Sequence, residues 1–151
     1  MGAQRLRTLT ELGADVVVAL DEPGAKEHLG EAAKEADVVL DYLWGQPTAD
    51  ALYAIVPERP DDRPLTWVQI GSVAGPECPI PSAAVRATRL QIVGSGHGSV
   101  PTRDVVAELA ALATEIATGT YAINAHPLPL AAVEQAWAEA GTAAGRIVIV
   151  P

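Results

Sequence analysis

Five short apolar, β-branched runs punctuate this chain. They are Asp15–Leu20 (DVVVAL), Asp37–Leu43 (DVVLDYL), Leu65–Gly71 (LTWVQIG), Leu90–Val93 (LQIV) and Arg146–Val150 (RIVIV). Runs that are continuously apolar, rather than alternating, suit strands buried on both faces. Most are separated by stretches of helical spacing. That order predicts an α/β fold, a Rossmann-like parallel sheet with helices on both faces. In such sheets ligands sit at the carboxyl ends of the strands, near the point where strand order reverses. The positions of interest therefore follow each run: Leu20 and Asp21, Tyr42 to Gly45, Ile70 to Gly75, and Gly94 to Gly98.

The helical stretches are legible from their apolar faces. Leu6, Leu9 and Leu12 line a first helix, and Gly13 is placed to end it in a left-handed turn. Ala25, His28, Leu29, Ala32, Ala33 and Ala36 form one face of GAKEHLGEAAKEA. Pro47 suits the first turn of PTADALYAIVPE. PERPDDRP is a polar connection, and SVAGPECPIPS reads as a loop. In PTRDVVAELAALATEIATG, Thr102 is the expected N-cap, Val105, Leu109, Leu112 and Ile116 the apolar face, and Gly119 the stop. YAINAHPLP reads as a Pro-containing loop, LAAVEQAWAEA as a short helix and RIVIV as a closing strand.

Composition narrows the function. A length of 151 residues predicts one domain. Hydrophobic residues make up 49% and charged residues 19%, which excludes a disordered chain. The formal charge of −9 leaves no basic footprint for a nucleic acid. No apolar run reaches the ~18 residues of a membrane span. The opening MGAQRLRTL has no apolar core and is unlike a secretory leader. Cys78 stands alone, which fits a reducing compartment, so a cytoplasmic location is expected.

Motifs of chemistry are few. GSGHGS, from Gly94 to Ser99, follows a strand and suggests a dinucleotide loop. Yet the third glycine comes one place early, the loop runs on through Val100 and Pro101, and no strand ending in an acidic residue follows. A turn passing close to other backbone, or to a cofactor held by other residues, is the alternative. His28, His97, His126 and Cys78 lack the close spacing of a zinc site. Ser72 and Ser95 lie in no nucleophile elbow. Asp41 could look catalytic, but such a carboxylate usually binds amides at its strand end. Trp44 could stack on a ring or simply pack at the rim.

The order of segments RLRTLTELGADVVVALD, ADVVLDYLWG, WVQIGSVAG, RLQIVGSG, PLPLAAVEQAWAEA and GRIVIVP resembles the second half of medium-chain dehydrogenases/reductases. The nearest types are quinone oxidoreductase and zinc-type alcohol dehydrogenase proteins, and the resemblance runs from about Gly2 to Pro151. It implies a Rossmann domain of strand order 3-2-1-4-5-6 that here lacks the first two strands and their glycine fingerprint. It also implies a single truncated nucleotide-binding domain, residues 1–151, without the GroES-like catalytic domain or its zinc.

By the same resemblance the cofactor is NADP, bound weakly, with NAD as the other candidate. Arg5 would hold the adenosine 2′-phosphate, bidentately as a guanidinium can; the competing reading is a solvated charge on a first helical turn. Tyr42 and Leu43 would pass the adenosine. Ile70, Gly71 and Ser72 would flank the nicotinamide ribose, and Gly94 and Ser95 would follow the sixth strand. No catalytic residue is expected in the chain. LQIV maps to the strand near the dimer contact of related enzymes, so a homodimer through residues 90–93 is a second expectation, with the chain as a non-catalytic remnant or dimerisation module.

Removing two strands between DVVVAL and DVVLDYL would strip backbone partners from both. Each large apolar side chain left open costs roughly 1.5–3 kcal/mol, against a whole domain's roughly 5–15 kcal/mol. Three remedies exist, namely direct pairing of the two runs, a second copy filling the gap, or a longer natural chain with a miscalled start; the last, a truncated or degenerate reductase, is the expectation.

Overall fold

The computed structural model describes residues 2–119, 125–143 and 145–151, with side chains described from Leu6 onward. It divides into two compact units, Gly2–Pro101 and Thr102–Pro151.

The first unit carries the parallel α/β sheet expected from the sequence. Strands β1 (Val38–Asp41), β2 (Pro64–Gln69) and β3 (Arg89–Gly94) lie in that order, all parallel. This is the relative order the resemblance assigns to strands four, five and six. Helices α1 (Gly2–Glu11), α2 (Ala25–Ala33), α3 (Gln46–Ile55) and α4 (Ser82–Ala87) complete the unit, with a 3₁₀ turn at Val56–Glu58. Gly13 ends the first helix at φ 93°, as expected. Helix α4 lies partly in a stretch read as loop; at six residues it is too short to show a helical period.

The period of two along the strands sorts their side chains. Leu65 and Trp67 of β2 are 0% and 2% exposed and meet Leu52, Ile55 and Val56 from α3 and the 3₁₀ turn, with Ala84 of α4. Register puts Val39 beside Trp67 and Leu90 beside Leu65, on the same face. Fully burying one such side chain contributes roughly 1.5–3 kcal/mol. Val38 and Leu40 point the other way and are 54% and 62% exposed.

A buried arginine ties the connections together. Arg59 donates to the carbonyls of Lys34 (3.1 Å) and Ala36 (2.6 Å) after α2, and of Arg63 (3.3 Å) and Pro64 (2.9 Å) at the entry to β2. Arg63 in turn grips Asp37 at 2.9 and 3.3 Å. The polar stretch PERPDDRP thus acts as a clasp between two strand entries.

Asp15–Leu20 forms no strand, contrary to the expectation from its sequence. A β-branched run becomes a strand only when a neighbour completes its ladder, and among the described residues β1 pairs with β2 alone.

The second unit holds α5 (Thr102–Ala117), β4 (Ala125–Pro129), a 3₁₀ turn at Leu130–Ala132, α6 (Val133–Glu139) and β5 (Arg146–Val150). Thr102 begins α5 instead of preceding it, and Gly119 stops that helix at φ 72°. Strands β4 and β5 form a two-stranded parallel sheet of their own. Two expectations are corrected here: AHPLP is a strand, not loop, and RIVIV closes a separate ribbon, not the main sheet. Two prolines hid the first, since proline argues against a central strand; among the described residues β4 pairs on one side only, as an edge strand can.

Candidate functional site

Parallel register brings the carboxyl ends of the three strands into one row, Asp41 beside Gln69 and Gln69 beside Gly94. The turns that follow continue the ladder. Ile70 and Gly71 donate their amides to the Asp41 carbonyl at 2.8 and 3.2 Å. Val73 and Ala74 donate to Tyr42 and Leu43 at 3.3 and 2.8 Å, and Ser95 donates to Gln69 at 2.8 Å. The rim therefore consists of Tyr42 to Gly45, Ile70 to Gly75, and Gly94 with Ser95.

Asp41 pins this rim. It is 7% exposed, and its carboxylate accepts from the amides of Leu43 (2.9 Å) and Trp44 (3.0 Å), the Thr48 hydroxyl (2.6 Å) and the Trp67 indole (2.9 Å). Burial alone would push the carboxyl up. The bonds from Thr48, Trp44, Trp67 and Leu43 together outweigh it and hold the group below its ordinary range. Asp41 is thus a clamp on its own turn, with its acceptor capacity filled from within the chain.

Two glycines permit the close approach of the turns. Gly45 has φ 71° and ψ −149°, a region essentially closed to other residues. A Cβ on Gly71 would lie 2.7 Å from the Tyr42 carbonyl oxygen. Trp44 also takes positive φ, at 56°. Its side chain, with Gln69, Ser72, Pro76, Ile92 and Gly94, lines a hollow of about 440 Å³ at the strand ends.

Of the residues singled out in the sequence, Tyr42, Leu43, Ile70, Gly71, Ser72, Gly94 and Ser95 come together on this rim. The Arg5 side chain lies outside the described residues. Sequence reasoning missed Gln69, Pro76 and Ile92 in the hollow; Gln69 immediately precedes a strand-end position, which was the available signal. The GSGHGS loop closes on itself, Ser99 taking the Gly96 amide at 2.8 Å. Burial first and the Asp41 charge second push the Cys78 thiol up, which favours its protonated form. Among the described residues no group of three His, Cys, Asp or Glu is placed to hold a metal ion. No described helix is long and apolar enough to cross a membrane.

The rim fits some parts of a dinucleotide better than others. Tyr42 is 58% exposed, and the Ser72 and Ser95 hydroxyls make no hydrogen bond within the described chain, so a ring and sugar hydroxyls have partners here. A pyrophosphate needs convergent free amides. The amides of Leu43, Trp44, Ile70, Gly71, Val73, Ala74 and Ser95 are all spent on internal bonds.

Fold and rim together define a parallel α/β, Rossmann-like structure with three turns aligned at the strand ends. No family model matches the chain. It is similar to a probable NADPH-dependent quinone reductase of Emericella nidulans, 29% identical over 138 residues, 86% of this chain and 38% of that one. The alcohol dehydrogenase of Aeropyrum pernix matches 99% of this chain and 40% of its own at TM-score 0.66 and 21% identity. A mycobacterial protein complexed with NADPH matches 100% and 47% at TM-score 0.67 and 20% identity. The resemblance is thus borne out in sequence by the quinone reductase and in fold by the alcohol dehydrogenase and the mycobacterial protein. The chain spans about two fifths of the curated relative's length.

Proposed function

We propose that this chain is the cofactor-binding portion of an NAD(P)H-dependent oxidoreductase of the quinone reductase or alcohol dehydrogenase type. When bound, the nicotinamide supplies hydride; the chain's own residues hold and orient it. Tyr42 and Leu43 flank the adenosine, Ile70, Gly71 and Ser72 the nicotinamide ribose, and Gly94 and Ser95 the edge of the site. Arg5 selects NADP by gripping the 2′-phosphate. The single observation carrying this reading is the alignment of three strand-end turns into one rim, joined to the likeness to an NADPH-dependent relative.

The same geometry argues for weak binding and no turnover by the chain alone, since most of the rim's amides are already bonded within the chain and few are left for a pyrophosphate. Titration of NADPH into the purified chain tests this. The expected dissociation constant is about a millimolar, near −4 kcal/mol, with NADH weaker still. Binding in the low micromolar range, or reduction of a quinone, would refute it. The lone cysteine and the reductase likeness favour a cytoplasmic setting.

A second reading has one observation behind it. Among the described residues strand β3 is bonded to β2 alone, so Leu90–Val93 would pair copies as a non-catalytic module.

A further inference from the structure

The hollow at the strand ends has a polarity of its own. Its volume of about 440 Å³ is within the range of small-molecule sites. Pro76, Ile92 and Val93 give it an apolar wall, and Ile92 and Val93 are 39% and 43% exposed, so a ring has surface to cover. Two planar side chains bring polar atoms to that wall, Gln69 from the end of β2 and Trp44 from the turn after β1.

The Gln69 amide has a fixed orientation. Its Nε2 donates to the Gly71 carbonyl at 2.9 Å. A carbonyl only accepts, so the nitrogen belongs on that side and Oε1 on the other. Among the described residues neither Gln69 Oε1 nor the Trp44 indole N–H has a hydrogen-bond partner, and neither is sealed from solvent; the one buried side-chain polar atom left unpaired there is Arg59 Nε. Trp44 also stands at φ 56°, held by the bond from its amide to Asp41 at 3.0 Å. A bulky residue rarely adopts that left-handed conformation, and such strain gathers at ligand sites.

An exposed acceptor, an exposed donor and an apolar wall are met together by an aromatic ring that carries a primary carboxamide. Its NH2 group donates and its carbonyl accepts. A quinone has acceptors alone and would leave Gln69 Oε1 unmet. A ring carboxylate would set its charge against that oxygen, in a chain of net charge −9.

We infer that the hollow takes the nicotinamide ring, with Gln69 Oε1 accepting from the carboxamide NH2 and the Trp44 indole donating to the carboxamide oxygen. Ser72, on the same rim, is left to the ribose. Gln69 and Trp44 thereby select amide over acid. The assignment rests on the reading that the chain binds a nicotinamide cofactor.

The full chain is titrated separately with nicotinamide mononucleotide, nicotinic acid mononucleotide and adenosine 2′,5′-bisphosphate, while NMR follows the Gln69 side-chain amide, the Trp44 indole and Tyr42. The amide mononucleotide should move the Gln69 and Trp44 signals and bind about tenfold tighter than the acid, the size of one hydrogen bond gained and one repulsion avoided. The adenosine bisphosphate should move Tyr42 alone. Gln69→Leu should bring amide and acid within about twofold of each other, with the adenosine bisphosphate binding as before. The amide and the acid are compared on the unaltered chain, so the test stands even where Gln69→Leu fails to fold. Equal binding of amide and acid, unmoved Gln69 and Trp44 signals, or discrimination kept by Gln69→Leu would overturn the inference while Tyr42 still answers the adenosine half. Silence from all three nucleotides would overturn the cofactor reading and the inference with it.

Discussion

Asp41 shows how one side chain can look catalytic and be structural. Its four donors come from its own turn, from α3 and from β2. Asp41→Asn replaces one acceptor oxygen by a donor facing either Thr48 and Trp67 or the amides of Leu43 and Trp44. A loss of about 2–3 kcal/mol is expected, since a buried group left unsatisfied costs about that much; urea unfolding at neutral pH measures it. The pH dependence has a definite sign. The folded carboxyl lies below its ordinary value of 3.8, so its contribution is complete above about pH 4 and is lost as pH falls through the folded value. Asp41→Asn should therefore flatten the acid limb of the stability curve. Arg59→Met leaves four backbone carbonyls without their donor, and about 3 kcal/mol should be lost in the same assay. Arg5→Ala should weaken NADPH severalfold and leave NADH unchanged, as paired titrations would reveal. The role of Asp41 was legible from its place after an apolar run. That of Arg59 was not, because a surface-looking PERPDDRP gives no sign of the carbonyls that surround it.

At the scale of elements, local pattern succeeded where the neighbours were regular and failed where they were not. Strands β1, β2 and β3 and helices α2, α3 and α5 lie where periodicity put them. Strand β4 was hidden by prolines that an edge position tolerates, and α4 by its brevity. The turns after β1 and β2 depend on each other: Gly71 approaches Tyr42 so closely that a methyl group would collide. Gly71→Ala should cost about 1–3 kcal/mol, in line with forced overpacking, and should shift the Tyr42 amide and ring signals in NMR spectra. An unchanged spectrum would mean that the two turns are not in contact in solution.

For the molecule as a whole, burial is uneven. The core lies in the first unit, around Leu52, Leu65 and Trp67, whereas α5 has no buried residue along its length. Local opening follows such differences in packing. Hydrogen exchange should therefore find the β2 amides protected close to the global limit and those of α5 exchanging at least about tenfold faster. Equal protection in both would show that α5 is covered in solution.

The amino-acid sequence alone determined which segments can be strands or helices, because side-chain period and β-branching act within a few residues. It also marked the strand ends whose turns the structure aligns in one rim. Tertiary structure decided the partners: that three runs join in parallel, that Asp15–Leu20 stands apart, that RIVIV pairs with AHPLP, and that Arg59 is buried. Pairing needs a complementary ladder from a distant part of the chain or from another molecule, and nothing within a segment records whether that ladder is there.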